Sequence, residues 1–293
     1  MLETLALHLG AHKTATTMIQ REFGTRRREL LRLGTGYLGP DDLRDVPGLV
    51  FPKPEMSASR MAEVQARTAG LLETLPPGAL GQTRSRLLVS EENILGTPRL
   101  MLRHATLYPG LRARLGALPA AWNGTETEVF LSIRDYAGFF ASCHSTIAQQ
   151  GVWVPFGAPQ RADLARMPRR WPDVVADIRA ALPRARLTVW RYEDLHDVGQ
   201  RVVDAMTGGA FEVDFASRGA MASLSAEAMA RIEAEASQRD DRKLPRDLVR
   251  RIRKDHADGP RYAPWDAETR DLLSQAYDED CDAIRTISGV TLL

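Results

Sequence analysis

Thr4-Leu5-Ala6-Leu7-His8-Leu9-Gly10-Ala11-His12-Lys13-Thr14-Ala15-Thr16-Thr17 carries an apolar run straight into a loop of small, basic and hydroxylated residues. Thr4 to Gly10 predicts a short strand, and helical spacing runs from about Met18 to Leu33, so the unit reads as strand, tight loop, helix. Such a loop points backbone N–H groups beyond the strand, and the helix that follows adds the positive end of its dipole. Small residues let a ligand approach the backbone, Thr14, Thr16 and Thr17 offer hydroxyls, and Lys13 offers a charge. Thr is also an ordinary N-cap, but a Lys with three Thr in five residues exceeds what capping needs. The stretch predicts an anion cradle that suits phosphate. It is not a Walker A loop, because His12 stands where that motif has Gly before its Lys.

Further strands are predicted at about Gly36 to Leu38, Arg86 to Ser90, Glu128 to Ile133 and Leu187 to Trp190. Helices are predicted from Ala58 to Leu75, closed by Pro76-Pro77-Gly78, within Arg99 to Leu118, from Tyr136 to Gln150 and within Arg161 to Leu182. This alternation builds βαβ units. The expected fold class is α/β: a single three-layer domain over residues 1–293, with a central, mainly parallel sheet flanked by helices and a mostly helical portion from about residue 224. Lys13, Glu92, Arg134 and Tyr192 each follow a different predicted strand. Parallel sheets bind ligands beyond the carboxyl ends of their strands, so these four residues are expected along one edge.

The chain has 293 residues, 44% of them hydrophobic and 26% charged, which is the composition of a globular protein able to bury a substantial core. A net charge of +1 argues against a nucleic-acid polymer as partner. No apolar run approaches the length of a membrane span, and Leu5 to Leu9 is too short for a signal peptide, so a cytoplasmic protein is expected. Cys143 and Cys281 read as buried small hydrophobes, and no residues show metal-ligand spacing. Of 39 basic residues only Lys13, Lys53, Lys243 and Lys254 are lysine. Arginine holds its proton whereas lysine is a compact donor, so Lys13 inside the cradle invites a chemical role.

The loop His12-Lys13-Thr14-Ala15-Thr16-Thr17 resembles the 5′-phosphosulfate loop of sulfotransferases that use 3′-phosphoadenosine 5′-phosphosulfate, in particular the bacterial type with a His-Lys-Thr-Gly-Thr-Thr pattern. Ala15 departs from that pattern; if the backbone there has positive φ, alanine carries a cost that glycine does not. Arg134 with Ser142 eight residues on is similar to the pair with which the family holds the 3′-phosphate of the donor, although Tyr136 stands where Pro is common. Trp190-Arg191-Tyr192-Glu193-Asp194-Leu195 resembles the strand-terminal segment whose Tyr lies near adenine, and Ser90-Glu91-Glu92-Asn93 resembles the Ser-x-Glu-Asn stretch of bacterial members. Tyr262-Ala263-Pro264-Trp265-Asp266 and the helix after it look like their carboxyl end.

The resemblance implies a P-loop-like sulfotransferase fold and transfer of a sulfuryl group from 3′-phosphoadenosine 5′-phosphosulfate to a hydroxyl or amine of a carbohydrate, lipid or small metabolite. The product would be 3′-phosphoadenosine 5′-phosphate, with no metal required. Lys13 and Glu92 are the implied catalytic residues. His12, Thr14, Ala15, Thr16, Thr17, Arg134, Ser142 and Tyr192 are the implied cofactor-binding residues. Glu91 or a histidine, with His104 and His144 as candidates to enter the cleft, stays open as the base. A P-loop-type phosphotransferase and a non-catalytic nucleotide-binding module are the competing readings, and a homo-oligomer is compatible with the sequence. The block from Arg239 to Arg261, with nine Lys/Arg against five Asp, reads either as a solvated face or as a lid over an anionic site. The Arg26-Arg27-Arg28 run also reads as a solvated face.

Overall fold

The computed structural model describes residues 2–73, 85–118, 126–209, 211–215 and 223–293; the Pro76-Pro77-Gly78 stop signal lies outside them. Six strands, β1 (Thr4–Gly10), β2 (Thr35–Leu38), β3 (Arg86–Ser90), β4 (Glu126–Ile133), β5 (Arg186–Arg191) and β6 (Val290–Leu292), form one sheet in the order β2-β3-β1-β4-β5-β6. Every pairing is parallel. Chain order reverses at β1, which lies between β3 and β4, so the loop after β1 opens into the crevice where such sheets bind ligands.

Alternation along the strands builds the three layers. Leu5, Leu7 and Leu9 of β1 join Leu87, Val89, Val129, Leu131 and Val189 in a core on one face, and Ala6, Leu88, Phe130 and Trp190 belong to a second core on the other. Burial on both faces explains why these strands read as nearly continuous apolar runs, and a fully buried leucine such as Leu7 contributes about 2 kcal/mol. The second face is covered by α1 (Thr16–Thr25), α2 (Arg27–Arg32) and, further along the chain, a helix over Leu195–Thr207. The remaining helices are α3 (Pro40–Arg44), α4 (Ala58–Glu73), α5 (Pro98–His104), α6 (Leu111–Leu115), α7 (Tyr136–Gln149), α8 (Ala158–Ala165), α9 (Trp171–Ala181), α10 (the Leu195–Thr207 helix), α11 (Ala226–Ser237), α12 (Arg246–Asp255) and α13 (Ala267–Arg285). Phe139 and Ile147 of α7, Trp171 and Val174 of α9, and Leu273 and Ile284 of α13 fill the first face. Residues of α11 and α12 pack with Trp153 and Ala148 in a satellite core at the end of α7.

Several boundaries differ from the sequence reading. The helix expected over 18–33 starts at Thr16 and breaks at Arg26, directly after Gly24 and Thr25, whose hydroxyl bonds the Glu22 carbonyl at 3.1 Å. Of the arginine run at that break Arg28 is exposed, as a solvated face requires, whereas Arg26 and Arg27 make structural contacts. Arg26 lies 3.4 Å from Glu22 and stacks 4.7 Å from the Phe211 ring, while Arg27 pairs with Asp42 and bonds the Tyr37 carbonyl at 3.2 Å. β6 was missed: three residues at the carboxyl end are too few to show a period. No helix among the described residues is long and apolar enough to cross a membrane.

Candidate active site

The loop after β1 turns through left-handed backbone at Gly10 (φ 95°), Lys13 (φ 61°) and Ala15 (φ 63°), and Ala15 is the N-cap residue of α1. Turns of this kind direct successive N–H groups inward to form an anion-binding concavity. The position at which the family pattern has glycine thus adopts positive φ here, and the Ala15 methyl carries a cost of about 1 kcal/mol. Gly10 is required twice. Its φ suits glycine, and a Cβ there would come 3.0 Å from the Glu92 Cβ and 3.2 Å from the Thr16 methyl. The exit of β3 therefore lies directly against the loop.

His12, Lys13, Ala15, Thr16 and Thr17 line one cavity of about 900 Å³. Glu92, Arg134, Ser142 and Tyr192 line the same cavity, so the exits of β1, β3, β4 and β5 meet as the strand order requires. Thr14 is the exception: it is fully buried, and its hydroxyl donates to the Ala11 carbonyl at 2.7 Å. That hydroxyl closes the loop, so any role of Thr14 toward an anion falls to its backbone.

Lys13 has no carboxylate partner among the described residues. Burial pushes its pKa down, and the neighbouring Arg134 adds to that push. Arg134 donates to the Lys13 carbonyl at 2.6 Å, tying the exit of β4 to the loop, and its guanidinium lies 4.5 Å from the centre of the Tyr192 ring. The Tyr192 ring thus packs against Arg134 as well as against the second core, and it lines the cavity. Arg134 does not pair with Asp135, whose carboxylate instead caps α7 by accepting from Gly138 N at 2.9 Å.

The two adjacent carboxylates have separate fates. Glu91 is buried, receives Arg44 Nε and Nη2 at 2.8 Å each, and accepts from Asn93 N at 2.9 Å and Asn93 Nδ2 at 2.7 Å. Glu92 faces the cavity, held by Gln20 Nε2 at 2.8 Å and Arg44 Nη2 at 3.0 Å. Burial alone would raise the Glu92 pKa, but the His12 ring in its protonated form, the Gln20 amide, the Glu92 backbone N–H and Arg44 outweigh it and hold the carboxyl below its ordinary range. It is ionised at neutral pH and can accept a proton.

His12 is held as a neutral ring. Because Asn93 donates its amide hydrogen to Glu91, its Oδ1 faces His12 Nε2 at 3.3 Å; that nitrogen carries the proton, and Nδ1 accepts from the Tyr108 hydroxyl at 3.2 Å. Burial pushes the His12 pKa down to about 4 against the pull of Glu92. Both ring nitrogens are engaged, so His12 is not a free base. His104 and His144 do not line the cavity. His104 meets Glu55 at 3.0 Å, and His144 is enclosed by Trp153 and Phe156 and bonded to Tyr262 Oη (2.8 Å) and the Val154 carbonyl (2.9 Å).

Sequence reasoning missed Gln20, Arg44, Asn93 and Glu193. Gln20 lies four residues after Thr16 and therefore on the same helical face, a signal that spacing could have supplied. Glu193 accepts from Asp135 N at 3.0 Å and from the Tyr277 hydroxyl at 2.8 Å, which locks the Tyr192 turn to α7 and α13. Of the basic 239–261 block, Arg261 lines the cavity, while the Lys243 backbone bridges to Val152.

No protein-family model and no curated protein sequence matches this chain.

Proposed function

We propose that this protein transfers a sulfuryl group from 3′-phosphoadenosine 5′-phosphosulfate to an acceptor hydroxyl or amine. The observation that carries the reading is the meeting, in one cavity, of an ammonium without a carboxylate partner in an anion-shaped loop, the Arg134–Tyr192 stack and an ionised Glu92. These residues suit the donor: the loop for its 5′-phosphate, Arg134 and Ser142 for its 3′-phosphate, and the Tyr192 ring, which lines the cavity, for its base. When bound, the donor supplies an activated sulfuryl group on a phosphate leaving group.

Each remaining demand falls to a residue of the chain. Lys13 would donate to the bridging oxygen as charge develops there, and the loop N–H groups with Thr16 and Thr17 would hold the phosphate in place. Glu92 receives the proton that the acceptor loses, and Gln20 and Arg44 fix the orientation of its carboxylate. A Mg²⁺-dependent phosphotransferase fits less well, because the hydroxyl of the Thr after the lysine, a metal ligand in Walker A loops, bonds the Ala11 carbonyl here.

The test is incubation with sulfur-35-labelled donor and a mixed pool of saccharide, lipid-headgroup, phenol and amine acceptors. The native protein is expected to transfer label whether or not EDTA is present, and Lys13→Ala about a hundredfold less, the usual cost of one transition-state donor. Equal transfer by both proteins, or no transfer by either, contradicts the reading.

A further inference from the structure

We infer that the acceptor is an anion, carrying a carboxylate or an ester sulfate or phosphate close to the group that is modified. The inference rests on the sulfuryl-transfer reading, which assigns the two halves of the cavity. Arg134, Ser142 and Tyr192 come from the exits of β4 and β5, on one side of β1, and that half is the donor's. Glu92 comes from the exit of β3, on the opposite side of β1, so the acceptor approaches there.

That second half is more basic than proton abstraction requires. Three arginines from three separate elements line the cavity with Glu92: Arg21 of α1, Arg44 of α3 and Arg99 in the first turn of α5. Arg44 is committed to Glu91 and Glu92. Arg21 and Arg99 have no ion pair among the described residues, and both are exposed. Arg21 directly follows Gln20, whose amide holds Glu92, and Arg99 follows Thr97 and Pro98, which also line the cavity. Beneath them the buried Arg114 donates to the carbonyls of Ile94 at 3.0 Å and of Asn93, and so adds positive charge behind the same strand exit. Of these four guanidinium groups only Arg44 has a carboxylate partner among the described residues; Arg114 is spent on backbone carbonyls, and Arg21 and Arg99 line the cavity unpaired. A neutral acceptor would leave both without a counter-charge beside a desolvating substrate; an anionic acceptor supplies planar oxygens that match the guanidinium fork.

The test is calorimetry on the full chain saturated with 3′-phosphoadenosine 5′-phosphate, using two matched pairs of probes: methyl glucuronide against methyl glucoside, and 4-hydroxybenzoate against 4-hydroxybenzyl alcohol. The carboxylate member of each pair is expected to bind about tenfold more tightly or better, and the preference to shrink as salt is raised. In the Arg21→Gln/Arg99→Gln double variant the preference should disappear while the affinity for 3′-phosphoadenosine 5′-phosphate is unchanged. The single variants provide a second measure if the double variant folds poorly, each losing part of the preference. Equal binding within both pairs, no binding of either carboxylate, or a preference that survives in the variants overturns the inference. Failure of the nucleotide itself to bind overturns the donor assignment instead, so the two failures are distinguishable.

Discussion

Ala15 is where the loop's chemistry and its conformation disagree. A left-handed residue that is not glycine strains the start of α1, so Ala15→Gly is expected to raise stability by about 0.5–1 kcal/mol, after allowance for the greater freedom of glycine in the unfolded chain. A urea midpoint that falls in the variant would show that the packing of the methyl outweighs the strain. Gly10 should behave oppositely: Gly10→Ala sets a Cβ against Glu92 and is expected to cost about 2 kcal/mol or more, with transfer activity lost alongside stability. Lys13, Glu92, Arg134, Ser142 and Tyr192 were legible because each follows a strand or sits at a fixed spacing from such a residue. Arg44 and Asn93 were not. Arg44 orients Glu91 and Glu92, and Asn93 meets the His12 ring, across contacts that the folded sheet brings together, while the bond from Asn93 to Glu91 is local.

The elements behind the site are joined by buried polar contacts, and the amino end of α7 shows what one of them does. The Tyr136 hydroxyl donates to Asp280 of α13 and accepts from Trp171 N of α9 at 2.7 Å, so one phenol joins three helices. This accounts for a tyrosine where the family pattern has proline, which could make neither bond. Tyr136→Phe is expected to destabilise the protein by about 1–3 kcal/mol, because Asp280 and the Trp171 amide each lose a buried partner; thermal melting checks it, and an unchanged melting temperature would contradict the role. The sheet strands were the most readable elements because burial on both faces leaves a continuous apolar signature. The breaks were less so. Arg26 ends α1 through local hydrogen bonding that periodicity does not register, and β6 exists only because β5 offers it an edge.

Across the molecule three histidines share one electrostatic condition. His8, bonded to Ser90 at 2.7 Å, His12 and His144 are buried, and burial lowers the pKa of each from 6.5 to about 4. Between those values the unfolded chain binds protons that the folded chain refuses, so stability is expected to fall as pH drops from about 6.5 to about 4 and to level off, as regards these groups, below that. Urea midpoints taken across this range check the sign, and His144→Phe, which removes a group that does not line the cavity, should shallow the slope. The central claim is that the crevice at the strand-order reversal holds the adenosine bisphosphate of a sulfuryl donor. The most direct measurement is calorimetric titration with 3′-phosphoadenosine 5′-phosphate, in parallel with ATP plus Mg²⁺, on the native protein and on Arg134→Ala. Micromolar binding of the bisphosphate that weakens at least tenfold in Arg134→Ala is the expected result. Binding of ATP plus Mg²⁺ alone, or of neither nucleotide, would contradict it.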